Sequence, residues 1–129
     1  MEKIIANDAP AAIGPYSHAV RTGNLLFLSG QIPLNSKGEM LNSSIQEATE
    51  QVFNNIEAIL ASQNLTINNI VKSLVFLKNI NDFAEMNKIY EKRMGGHKLA
   101  RSAVEVSNLP KNALVEIECI AEITQKEQI

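Results

Sequence analysis

Apolar positions along the chain change period several times, and each change predicts an element. Residues 17–33, "SHAVRTGNLLFLSGQIP", alternate on both sides of Thr22-Gly23-Asn24 and predict two strands around a turn. The second strand, "LLFLSGQI", is apolar on both faces at its start, which predicts burial on both sides. Helices ordinarily cover one face of a small sheet, so the other face is expected to meet a partner subunit. Gly30 inside this strand predicts a bulge or a close backbone approach. Over 44–65 the period lengthens. Ile45, Ala48, Val52, Ile56 and Ile59 recur at helical spacing behind a Ser44–Glu47 capping-box pattern. Residues 70–77, "IVKSLVFL", are β-branched and large, and predict a strand. A second helix is predicted over 82–94, opened by Asp82 and Glu85 and stopped by Gly95-Gly96. Two more strands are expected in "LARSAVEVSNLP" (99–110) and "ALVEIECIAEI" (113–123), with a short additional strand near 39–42. The order ββ–α–β–α–ββ predicts an α+β fold, a mixed sheet with two helices on one face.

The alternation in 99–110 contains one misfit. Ser102, Val104 and Val106 point one way, and Arg101, Ala103 and Glu105 the other. The short link to the last strand predicts an antiparallel hairpin. If Val104 and Val106 share the core face with Val115 and Ile117, position 104 pairs near 115. Ala103 then falls near Glu116, and Arg101 near Glu118, on the face away from the helices. A slip of two residues would leave that face assignment unchanged. One reading is a solvated cross-strand ion pair; the other is a guanidinium with open space beside it, ready for a flat anion.

Composition narrows the classes. The chain has 129 residues, which fits one domain over 1–129; 45% are hydrophobic and 20% charged, an ordinary globular balance. A net charge of −2 gives no field to draw in nucleic acid or an anionic membrane. No apolar run approaches a membrane span, and "MEKIIANDAP" does not read as a signal peptide. The single cysteine, Cys119, excludes an internal disulfide and suits the reducing cytoplasm. His18, His97 and Cys119 have no metal-ligand spacing, His18 is expected to be exposed and inert, and no phosphate-loop pattern occurs.

Four segments, "APAAIGPYSHAV", "LSGQIP", "NDFAEMNKIYE" and "ARSAVEVSNLP…VEIECIA", resemble the RidA/YjgF family of imine/enamine deaminases in the family's own order, from Ala9 to Ala121. The resemblance implies a chorismate-mutase-like α+β fold, a homotrimer and active sites in the clefts between subunits. It implies hydrolysis of 2-imino acids and their enamine tautomers, such as 2-aminoacrylate, released by pyridoxal-phosphate enzymes. The products are a 2-keto acid and ammonia, with no metal or cofactor needed. Carried over by motif, Arg101 grips the substrate carboxylate and Glu116 handles the water. Tyr16, Ser29, Gly30, Gln31, Asn87 and the backbone at Ala103 line the site, Tyr16 serving the water or a proton.

Those roles suit the side chains. A guanidinium holds a carboxylate through two parallel hydrogen bonds, which an ammonium cannot copy. The substrate is already an electrophile, so orientation, a positioned water and a proton route are what it lacks. Each residue also has a plainer reading. Tyr16 could pack at an interface, Asn87 shares a helix face with Phe83 and Tyr90, and Ser29 and Gln31 could satisfy backbone groups at a strand end. Two departures stand out: Leu99 stands where many members have proline, and Ala103 where some have cysteine. Two other functions use the same features, a non-catalytic binder of small 2-keto acids with a regulatory role and, less favoured by the charge, an endoribonuclease.

Overall fold

The computed structural model describes residues 1–12 and 14–124; Ile13, inside the N-terminal motif quoted above, lies outside the described residues. In chain order the elements are β1 (Glu2–Ile4), β2 (Ala19–Thr22), β3 (Leu25–Gln31), α1 (Ile45–Ala61), β4 (Ile70–Leu77), α2 (Phe83–Met94), β5 (Ala100–Glu105) and β6 (Val115–Glu122). The strands form one sheet in the order β1-β2-β3-β6-β4-β5. Pairing is antiparallel except between β4 and β5, which run parallel across the α2 crossover. This is the expected α+β mixed sheet with two helices, lengthened by β1. The segment near 39–42 contributes only a bridge between Leu34 and Met40.

Local chemistry explains the boundaries. Ser44 Oγ accepts from the Glu47 N–H at 3.1 Å, capping α1. The reciprocal half of the box shifts by one residue: Glu47 Oε1 accepts from the N–H and hydroxyl of Ser43. α2 stops where Gly95 takes φ 60° and donates to the Glu91 carbonyl. In β3, Leu28 pairs with Cys119 but Gln31 pairs with Ile117. Ser29 and Gly30 thus oppose the single residue Glu118, and the bulge expected at Gly30 is present.

The core lies between the helices and one sheet face. Val52, Phe53 and Ile56 of α1 and Met86 of α2 meet Leu26, Val75, Val115 and Ile117, all fully buried. The opposite face is apolar as well. Leu25, Phe27 and Val104 are 36%, 41% and 44% exposed in the single chain. The two-sided burial expected for 25–28 is therefore met on one side only, at Leu26 and Leu28.

The last two strands do not form the expected hairpin. β4 lies between β5 and β6, pairing Ser73 with both Arg101 and Cys119, and Phe76 with both Val104 and Glu116. Ser73 and Phe76 are three residues apart and point to opposite faces. Arg101 and Ala103 accordingly share the helix-covered face with Val75, Ile117 and Cys119. Val104 shares the open face with Glu116. This reverses the face read from the sequence for β5, while Glu116 and Glu118 of β6 lie on the open face as expected. The physical reason is that both sheet faces are apolar, so alternation could not say which one the helices cover.

Candidate functional site

Two concave regions hold the candidate residues. The first is an open cleft of about 590 Å³ at the β3 bulge, whose lining includes Tyr16, Ser29, Gly30, Gln31 and Glu116. Its centre is the crossing of Gly30 and Glu116. A Cβ on Gly30 would overlap Oε2 of Glu116 and lie 2.9 Å from its Cδ, so only glycine leaves room for this carboxyl. Burial pushes the Glu116 carboxyl above the ordinary carboxylate value, and the negative charge of Glu118 pushes it further. Such a group is easier to protonate than a surface glutamate, which suits proton exchange.

Ser29 and Gln31 spend donors on the main chain. Ser29 Oγ donates to the Ser17 carbonyl at 2.7 Å, and Gln31 Nε2 donates to the Ser29 carbonyl at 3.3 Å. The plainer reading of both therefore has direct support, although both line the cleft. Tyr16 is 47% exposed at its mouth. His18, expected to be exposed, is 3% exposed and lines the cleft. Its Nδ1 accepts from the Ala6 N–H, and Nε2 bonds the Pro10 carbonyl. A further lining residue, Lys111, sits in a turn with φ 54°, followed by Asn112 at φ 58°. Asn42 holds that turn by donating to the Asn112 carbonyl and accepting from the Leu114 N–H.

The second region, about 550 Å³, lies between α2 and β5; Asn87, Tyr90, His97 and Arg101 are among its lining residues. The Arg101 guanidinium stands 4.6 Å from the Tyr90 ring centroid and 5.3 Å from that of Phe83. Its Nη1 donates to Asn87 Oδ1 at 2.6 Å. Tyr90 is fixed in turn by a 2.6 Å hydrogen bond with Ser73 Oγ, and burial raises its phenol pKa. Among the described residues no carboxylate pairs with Arg101. The Glu118 contact expected for it does not form: Glu118 is exposed and pairs with Leu74.

The structure therefore gathers Tyr16, Ser29, Gly30, Gln31 and Glu116 in one region and Asn87 and Arg101 in the other. Ala103, expected beside Glu116, lies two residues beyond Arg101 on the same helix-covered face, away from Glu116. Sequence reading missed the aromatic shelf under Arg101. Its signal was available in the spacing of Phe83, Asn87 and Tyr90, which shares one face of α2.

A family model described as endoribonuclease L-PSP matches residues 6–123. The chain belongs to the RidA/YjgF family. Relatives in the RidA/YjgF family carry different names. The 2-iminobutanoate/2-iminopropanoate deaminase of Escherichia coli is 44% identical over 125 residues, covering 94% of this chain and 98% of its own. A putative regulator, AldR, of Lactococcus lactis is 52% identical over 123 residues, covering 94% and 98%. The crystal structure of Escherichia coli TdcF with bound serine superposes with a TM-score of 0.91 at 36% identity, covering 96% of this chain and all (100%) of that one. Among the described residues of this family member, no helix is long and apolar enough to cross a membrane. Among the described residues, no three His, Cys, Asp or Glu side chains gather as a metal site requires.

Proposed function

We propose that this chain hydrolyses 2-imino acids and their enamine tautomers, such as 2-aminoacrylate, to 2-keto acids and ammonia. The observation that carries the reading is Arg101: a guanidinium oriented by Asn87, stacked on Tyr90 and lacking a carboxylate partner among the described residues. Such a group is ready for the bidentate grip of a substrate carboxylate. The raised Glu116 carboxyl supplies the complementary chemistry. As carboxylate it takes a proton from water while the oxygen adds to the imine carbon. It then returns that proton to the nitrogen; as the carbinolamine collapses, its hydroxyl proton passes to the same nitrogen, the C–N bond breaks and ammonia leaves the keto acid. Tyr16 at the mouth orients the water, and the backbone at Ala103 adjoins the carboxylate grip.

Arg101 and Glu116 lie on opposite faces of one sheet, so a complete site needs two copies of the chain. One copy supplies Arg101 and Asn87; its neighbour supplies Tyr16, Ser29, Gly30, Gln31 and Glu116. The exposed Leu25, Phe27 and Val104 give the open face a reason to be covered by that neighbour. The assembly is a cytoplasmic homotrimer. Sedimentation equilibrium should give about three times 14.2 kDa; a stable monomer would remove the shared site.

A regulatory binder of small 2-keto acids is the second reading, favoured by the regulator name of the Lactococcus lactis relative and the serine held by the TdcF neighbour. Coupling a pyridoxal-phosphate dehydratase to this protein separates the two. Under the enzyme reading the imine intermediate decays faster in proportion to added protein. Unchanged decay with intact keto-acid binding selects the binder. A salt-dependent affinity for RNA would instead favour the ribonuclease named by the family model.

A further inference from the structure

We propose that His18 is a positioning residue of the Glu116 cleft: its buried imidazole holds the Pro10 wall against the Ser29–Gly30 floor and so sets the cleft's width for a small acid. This deepens the deaminase reading and rests on it for the identity of the ligand.

Three bonds meet at this residue. The Ala6 N–H donates to Nδ1 at 2.8 Å, which requires a lone pair there and leaves the ring proton on Nε2. Nε2 then donates to the Pro10 carbonyl at 2.7 Å. The main chain of the same residue faces the floor, its carbonyl accepting from the Ser29 N–H at 2.9 Å. One step back, the Ser17 carbonyl accepts the Ser29 hydroxyl at 2.7 Å. Pro10 and Ser29 both line the cleft, as does His18 itself. A rigid ring with one acceptor and one donor on different edges is what spans the gap. The residue is 3% exposed, so water does not replace its side-chain bonds easily. Of its two side-chain bonds, the Nε2 bond is the one that reaches a lining residue, so it is the one that sets the wall.

That assignment gives the test its form. Glutamine carries an amide donor near the Nε2 position, asparagine carries polar atoms near the Nδ1 position, and leucine has neither. The three variants are compared with the wild type for amide exchange at Ser29 and Ala6, with Val75 as the core reference, and for 2-oxobutanoate affinity. Loss of one net hydrogen bond is worth about tenfold in an opening equilibrium. His18→Leu is expected to speed exchange at both amides and weaken 2-oxobutanoate by about that factor. His18→Gln restores affinity and Ser29 protection to within about threefold, whereas His18→Asn protects Ala6 alone. In the imine assay His18→Leu raises KM more than it lowers kcat.

Wild-type affinity and Ser29 exchange in His18→Leu overturn the proposal, and so does restoration by asparagine equal to that by glutamine. If His18→Leu does not fold, the glutamine–asparagine contrast decides alone. A wild-type protein that hydrolyses no imine defeats the deaminase reading, while exchange at Ser29 still decides the role of His18.

Discussion

Arg101 rests on two aromatic rings and is held by Asn87, whereas Glu116 lies across a glycine with burial opposing its ionisation. In the proposed reaction the two regions answer different chemical demands. An anion grip works best when its charge is permanent and its fork is held in one plane, which Asn87 and the Tyr90 ring provide. A proton carrier works best when neither of its states is far from reach, which desolvation provides for a carboxyl. The contrast also explains the local residue choices. The grip needs large neighbours for stacking, while the proton carrier needs the smallest possible neighbour beneath it.

Changes at the carboxyl region should have the largest effect. Glu116→Gln keeps the size of the side chain and removes the base, so imine hydrolysis should fall about 10²–10⁴-fold in a coupled assay while a keto acid still binds. Gly30→Ala should displace the same carboxyl. The atom it strikes is the far end of a flexible side chain, so thermal stability should change little while activity falls by about 10²-fold. At the grip, Arg101→Lys keeps the charge and loses the fork. A loss of roughly 1.5–3 kcal/mol, about one to two decades in kcat/KM with the circular-dichroism spectrum unchanged, is expected. Glu118→Gln, at an exposed position, should alter activity by no more than about twofold. If Glu118→Gln is the inactive variant instead, the contrast between the regions has been drawn around the wrong carboxylate.

The smallest effect concerns stability. The folded chain holds the Glu116 proton more tightly than the unfolded chain does, so the ionised carboxylate subtracts stability above its folded pKa. That deficit shrinks as pH falls through the folded value toward the ordinary 4.5. Glu116→Gln should therefore melt higher than the wild type at neutral pH, and the difference should close on acidification. Parallel melts across that range measure it; a constant difference would mean the carboxyl is not desolvated.

The helices and most strands were legible because their signals are local: the Ser44 cap, the Gly95 stop and the apolar period of α1. The Gly30 bulge was legible for the same reason, since a glycine inside an apolar strand is costly without a use. The pairing of β5 was not. Neighbours in sequence usually pair, but here β4 intervenes, and the α2 crossover makes β5 its parallel partner. The face of Arg101 followed that error, because Phe27, Phe76 and Val104 make the open face as apolar as many cores. β1 is three residues long and too short to show a period. The role of His18 depends on where the fold brings Ala6, Pro10 and Ser29, and leaves no pattern in the sequence.

The position of β6 has a consequence for how the polypeptide matures. Among the described residues it is the last strand in chain order, yet it lies in the middle of the sheet, pairing with β3 on one side and β4 on the other. While the chain emerges from a ribosome, β1–β2–β3 and β4–β5 can form early but have no common partner. Each exposes an edge of unpaired N–H and C=O groups, the kind of edge that recruits other chains. The sheet cannot be complete without Val115–Glu122, because that strand pairs with both pieces and carries Glu116 to Gly30.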